Sequence, residues 1–160
     1  MATVSAPLNA REAMVDEKRR PSKSFLEWVT SSVLTRLDSA PARASTASVT
    51  ERAASIGTTS LNSGSLSAGL YQVSWFARIT QAATVSSSLT VTISFTQGGV
   101  SLTLSGVALT GNTTTTVQAE SPHLIRIDGA TPVSYSTTYV SVGATAMKYR
   151  LDVVLTRVDA

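Results

Sequence analysis

The segment Leu89-Thr-Val-Thr-Ile-Ser-Phe-Thr96 alternates without a break, with Leu89, Val91, Ile93 and Phe95 on one side and Thr90, Thr92, Ser94 and Thr96 on the other. Period-two alternation places successive side chains on opposite faces of a strand, so this segment has one face for a core and one for water. Gly98-Gly99 then supplies the positive-φ positions that a tight hairpin needs, and Val100, Leu102 and Leu104 resume the alternation on the return strand. The stretch reads as a β-hairpin and sets the class of what surrounds it.

Working outward, residues 55–61 are a candidate first strand before a turn at Gly64. Residues 70–80 place Tyr71, Val73, Trp75, Ala77 and Ile79 on one face and Leu70, Gln72, Ser74, Phe76 and Arg78 on the other. That second face is mixed, which predicts a central strand covered in part on both sides. Beyond a Gly111-Asn112 turn come a Thr-rich strand at 113–119, a short apolar one at 124–127, a turn at Asp128-Gly129 and a loop at Pro132. Strands at 136–142 and 147–158 finish the set, the last with Met147, Tyr149, Leu151, Val153 and Leu155 inward. About eight short strands with no helical pattern between them predict an all-β, antiparallel, jelly-roll-like sandwich over residues 54–160.

Composition agrees with this. Only 14% of the 160 residues are charged, against about 25% in an ordinary globular protein. Hydroxyls take the place of charge: residues 54–160 hold 34 Ser and Thr but nine Asp, Glu, Lys and Arg. The net charge of +3 is spread along the chain rather than clustered, so the footprint of a nucleic-acid binder is missing and no nucleic-acid partner is expected. No cysteine is present, which excludes disulfides, thiolate metal sites and a Cys nucleophile. The first ten residues lack the basic and apolar regions of a signal peptide, and no apolar run reaches membrane-spanning length. The expectation is a protein made in the cytoplasm, with no membrane partner.

The first 53 residues read differently. Residues 1–21 combine small residues, Pro7 and a charge cluster ending in Asp16-Glu-Lys-Arg19-Arg20-Pro21. Such a segment cannot offset its own ordering entropy, so it is either a solvated tail or an arm that orders against a larger assembly. A short amphipathic helix is predicted within residues 22–39: Ser24 and Glu27 form a capping box, and Phe25, Leu26, Trp28, Val29, Val33 and Leu37 give a broad apolar surface. Residues 40–53, small and polar with Pro41, read as a tether.

Candidate chemistry is sparse. His123 is the one histidine, and the acids of the β region, Glu120, Asp128, Asp152 and Asp159, fall on separate strands and turns. Ser121, His123 and Asp128 can be drawn as a triad, yet residues so close within one strand and turn rarely converge as nucleophile, base and orienter. The expectation is no enzyme, no cofactor and no metal, with His123 at a strand edge or an interface. The aromatic residues carry two readings. Leu70, Tyr71, Trp75, Phe76 and Tyr149 are either core or a subunit interface, where Trp and Tyr are enriched. Tyr135, Tyr139 and Tyr149 are alternatively interface or glycan-stacking residues.

Residues 67–80, the hairpin 88–104, residues 106–116 and the ending Tyr149-Arg-Leu-Asp-Val-Val-Leu-Thr-Arg157 together resemble small structural proteins of tailed bacteriophages. The β part is similar to the trimeric jelly-roll heads of phage fibres, related to the TNF/C1q-like fold. The front end, Pro21-Ser-Lys-Ser-Phe-Leu-Glu-Trp28, resembles the anchoring arms of such proteins. The resemblance implies a non-enzymatic virion component of fibre, neck or decoration type, a homotrimer assembled in the host cytoplasm. Arg19, Arg20, Pro21, Phe25, Leu26 and Trp28 would hold it to a portal, adaptor, capsid or tail protein. The alternative is a carbohydrate- or host-receptor-binding module whose partner is a host surface glycan.

Overall fold

The computed structural model describes residues 21, 23–30, 42–62, 66–129 and 131–158, in two units divided after Pro41. In the first, α1 (Lys23–Trp28) starts one residue before the predicted cap, with the Phe25 and Trp28 rings stacked at 6.3 Å between centroids one turn apart. The Thr30 hydroxyl donates back to the Leu26 carbonyl at 2.8 Å. The remainder of the predicted helix, residues 31–39, and the arm through Arg20 lie outside the described residues.

The second unit is a two-layer sandwich of eight strands: β1 (Ala42–Arg52), β2 (Ile56–Ser60), β3 (Gly69–Gln81), β4 (Ser86–Gln97), β5 (Val100–Ser105), β6 (Val117–Ile127), β7 (Ser134–Val142) and β8 (Lys148–Arg157). All pairs are antiparallel, in two sheets of order β1-β8-β3-β6 and β2-β7-β4-β5. The chain passes from sheet to sheet at almost every connection, which makes the architecture jelly-roll-like. Its core is the set of inward residues the alternation marked: Val73, Ala77 and Ile79 of β3, Leu89, Val91 and Ile93 of β4, and Leu151, Val153 and Leu155 of β8 are all fully buried. Each large aliphatic side chain so placed contributes about 1.5–3 kcal/mol.

Two expectations need correction. Residues 42–52 are not a tether but β1, which pairs along β8 from Ala42↔Arg157 to Arg52↔Tyr149. Its inward residues Ala44, Ala47 and Val49 pack on the core, so the sandwich begins about a dozen residues earlier than composition indicated. Thr113–Thr116 is a turn, not a strand: the Thr116 amide donates to the Thr113 carbonyl at 3.0 Å and the two hydroxyls share a 2.8 Å hydrogen bond. The expected strands at 113–119 and 124–127 are replaced by one strand, β6, interrupted by a bulge. Val73 pairs with His123 and Trp75 with Glu120, so Ser121 and Pro122 together face Ser74. Proline is tolerated there because β6 is an edge strand.

A chain of buried hydroxyls ties the layers together. The Ile56 amide donates to Thr137 Oγ1 at 2.8 Å, the Thr137 hydroxyl to the Tyr149 oxygen at 3.0 Å, and the Tyr149 hydroxyl to the Ala54 carbonyl at 2.9 Å. Burial pushes the Tyr149 phenol above its ordinary value of 10.0. Tyr149→Phe leaves the Ala54 carbonyl without its donor and the Thr137 hydroxyl without an acceptor for its proton, although Thr137 still accepts from the Ile56 amide, and is expected to cost about 1–3 kcal/mol in denaturant unfolding. Because the folded-state value lies above the unfolded one, the neutral phenol's contribution is complete below about pH 10 and is lost as pH rises through the folded value. The Tyr149→Phe protein should lack that part of the alkaline decline.

Candidate functional site

The bulge in β6 decides what the open edge of the sandwich presents. Gln118 and Glu120 point inward from the first half of the strand, and the extra residue at Ser121-Pro122 returns His123, Ile125 and Ile127 to the same side. His123 stacks on the indole of Trp75, centroids 5.7 Å apart at 24°, and its Nε2 lies 3.3 Å from Glu120 Oε1. The second carboxylate oxygen, Oε2, accepts from Gln118 Nε2 at 3.3 Å. Trp75 is only 3% exposed, and its Nε1 and the Gln118 Oε1 are buried without a hydrogen-bond partner among the described residues. Gly106 closes this corner: a Cβ there would come within 2.8 Å of Trp75 Cζ2.

This cluster is not the triad drawn from the sequence. His123 pairs with Glu120, whereas Asp128 accepts from the Gly98 and Gly99 amides at 2.9 and 2.8 Å, in the β4–β5 turn. Both glycines have positive φ, 60° and 74°, which turns their amides toward one carboxylate. The Ser121 side chain lies outside the described residues. Among the described residues no group of three His, Asp or Glu side chains gathers as a metal site. The histidine–carboxylate pair is partly exposed, 37% and 23% for the two side chains, and contributes about 0–1 kcal/mol.

The candidate interface residues divide by face. Tyr71, Trp75 and Tyr149 are buried between the sheets, which corrects the interface reading for these three: their positions alternate with the outer face, so a partner cannot reach them. Tyr135 is also buried, so neither Tyr135 nor Tyr149 offers a ring for a glycan, while Tyr139 is half-buried with its hydroxyl donating to the Met147 carbonyl at 2.7 Å. Leu70 and Phe76 lie on the outer face of the β1-β8-β3-β6 sheet, Leu70 half-buried and Phe76 39% exposed. Phe76 sits between Asp152 of β8 and Ala119 of β6; Leu124, 64% exposed, stands across from Gln72 on the same face. Arg78 lies directly opposite Arg150, an unfavourable like-charge pair. Arg150 is turned to Asp152, which accepts from its Nε at 2.7 Å and from the Ser48 hydroxyl at 2.6 Å. The Arg150 hydrogen bond chiefly holds the Asp152 carboxyl below its usual range.

The opposite sheet differs in kind. β2, β4, β5 and β7 contain no Asp, Glu, Lys, Arg or His, and the outer positions of β4 are Ser88, Thr90, Thr92, Ser94 and Thr96. Sequence reasoning missed this segregation because it appears only once the strand order is known. Of the proposed anchor residues, Pro21 and Leu26 are exposed and Phe25 and Trp28 half-buried within the first unit; Arg19 and Arg20 lie outside the described residues. No protein-family model matches the chain, and no curated protein matches it either.

The Gly99 and Gly98 amides lower the Asp128 carboxyl from its ordinary value. A depressed folded-state value gives stability that is present above the unfolded value, 3.8, and is lost as pH falls through the folded one. Asp128→Asn should therefore melt below the wild type at pH 7, with the difference shrinking as pH falls below 3.8, as measured by thermal midpoints across pH.

Proposed function

We propose that this chain is a non-enzymatic structural component of a tailed-bacteriophage virion, a fibre, neck or decoration protein whose sandwich self-associates as a homotrimer. In this reading the first unit is the anchor, with Arg19, Arg20, Pro21, Phe25, Leu26 and Trp28 docking on a portal, adaptor, capsid or tail protein. The single observation that carries it is the outer face of the β1-β8-β3-β6 sheet. Phe76, Leu124 and Leu70 stand there with Arg78 and the Arg150–Asp152 pair, an aromatic and arginine grouping of the kind that anchors protein interfaces. Closed symmetric assembly is the usual way for a small protein to cover such a face. The jelly-roll strand order and the resemblance in the sequence support the virion class. A glycan- or receptor-binding module has less support, since Tyr135 and Tyr149 are interior.

Light scattering of the full chain is expected to give a mass that is a multiple of three 16.7 kDa chains. Phe76→Glu places a charge in the contact without touching the core, and should abolish the threefold unit while the melting temperature stays within a few degrees. A wild-type mass that is no multiple of three, or a Phe76→Glu protein of unchanged mass, removes the threefold contact. For the anchor, the double substitution Phe25→Ala, Trp28→Ala should leave oligomeric mass intact and abolish co-sedimentation with virions.

A further inference from the structure

The sandwich has four edge strands, and three of them carry devices that discourage pairing with another chain. β1 is broken by two register shifts and carries Arg43, Glu51 and Arg52, with Glu51 at a φ of 53°. β6 has Pro122 within its bulge. β2 is five residues long and irregular between Ile56 and Thr59. The fourth, β5, has none of these. Val100-Ser-Leu-Thr-Leu-Ser105 has no charge, no proline and an unbroken register with β4 from Gln97↔Val100 to Thr92↔Ser105.

Its hydrogen-bonding groups are arranged for a further strand. Gln97 and Val100 flank a two-residue turn, so they form a hydrogen-bonded pair, and alternate residues of β5 thereafter face β4. Gly106 continues that even-numbered series by donating to the Val91 carbonyl at 2.9 Å. The N–H and C=O groups of Ser101, Thr103 and Ser105 therefore point away from the sheet, and no described residue pairs with them as a strand. The side chains show the same want. Val100 and Leu102 lie on the core side, with Leu102 paired to the buried Phe95, yet they are 58% and 37% exposed for lack of a neighbouring strand.

We propose that β5 pairs antiparallel with β5 of a second copy, joining two β2-β7-β4-β5 sheets into one continuous sheet across a two-fold axis. The strand is complementary to itself. Centred on Thr103, the pairing sets Leu102 against the second Leu104 on the core side and Ser101 against the second Ser105 on the hydroxyl side. Because directly opposite residues share a face, both the apolar layer and the hydroxyl layer run on across the junction. About six main-chain hydrogen bonds form between the outward groups, and no like charges are brought together. Any charged or irregular strand would meet this edge less well than a copy of itself. The pairing is separate from the threefold contact at Phe76 and does not rest on it; where both operate, three-chain units pair through β5 into six.

The test compares the masses of the full-length wild type, Thr103→Pro, Thr103→Lys and Phe76→Glu by light scattering and sedimentation. Thr103→Pro removes an outward N–H without breaking a bond to β4, and Thr103→Lys sets two lysines opposite each other at the centre of the pairing while keeping the amide. Both should halve the wild-type mass, from six chains to three, and Phe76→Glu should leave two. If the Phe76 contact fails but the edge pairing holds, the wild type is a dimer and the Thr103 variants are monomers. In hydrogen exchange, the Ser101, Thr103 and Ser105 amides should be protected in the wild type and exchange at least tenfold faster in Thr103→Lys. Unchanged mass in both Thr103 variants overturns the proposal, whether the amides are exposed or are protected by another segment such as residues 1–41.

Discussion

The hydroxyl chain from Ile56 through Thr137 and Tyr149 to Ala54 is where the two layers are held in register. The chain leaves one sheet at Arg52 and enters the other at Ile56, and three residues is a short span for that passage. The main-chain groups released at such a corner have to be satisfied away from water or the corner opens. Thr137 and Tyr149 do this from inside, each used as both donor and acceptor, so the corner is fastened to β7 and β8 at once. The fastening thereby links β1, in one sheet, to β2, in the other.

Opposite ends of the sandwich are fixed by comparable means. At one end Asn112, with a φ of 48°, accepts from the Ala83 amide at 2.9 Å and the Ser87 hydroxyl at 2.7 Å, drawing the β3–β4 and β5–β6 connections together. At the other, Asp128 holds the Gly98-Gly99 turn. A protein so poor in charge places two directed polar side chains at its loops, and the faces between them differ: one is hydroxyl-rich and uncharged, with Val140 and Val142 exposed among the hydroxyls, and the other mixes aromatic, aliphatic and arginine side chains.

Most of the fold was legible wherever inward positions carry large side chains. β3, β4, β5 and β8 were marked by period-two runs of Leu, Ile, Val, Phe, Trp and Tyr, and the Gly-Gly turn gave one hairpin its register. β1 was not legible, because its inward residues are Ala44, Ala47 and Val49, small enough to read as a tether, and two register shifts break the period. β6 reads from the sequence as two pieces, 113–119 and 124–127, because the bulge at Ser121-Pro122 breaks its period of two and only the pairing with β3 joins the halves. The candidate sites were less legible than the fold. Trp75 and Phe76 are adjacent and both aromatic, yet one is core and the other surface, and alternation alone does not say which face is inside. The pairing of His123 with Glu120 across an odd number of residues depends wholly on the bulge, which no spacing rule anticipates.

The sheet formed by β2, β4, β5 and β7 carries no ionisable Asp, Glu, Lys, Arg or His. Contacts made by that sheet are therefore governed by hydrogen bonding and apolar burial alone, neither of which is weakened by counterion screening. Such a surface behaves alike in dilute water, in brine and across the pH range in which carboxylates and imidazoles titrate. An assembly joined through it would keep its contacts as it passed from one medium to another, where one joined through surface ion pairs would loosen at high ionic strength.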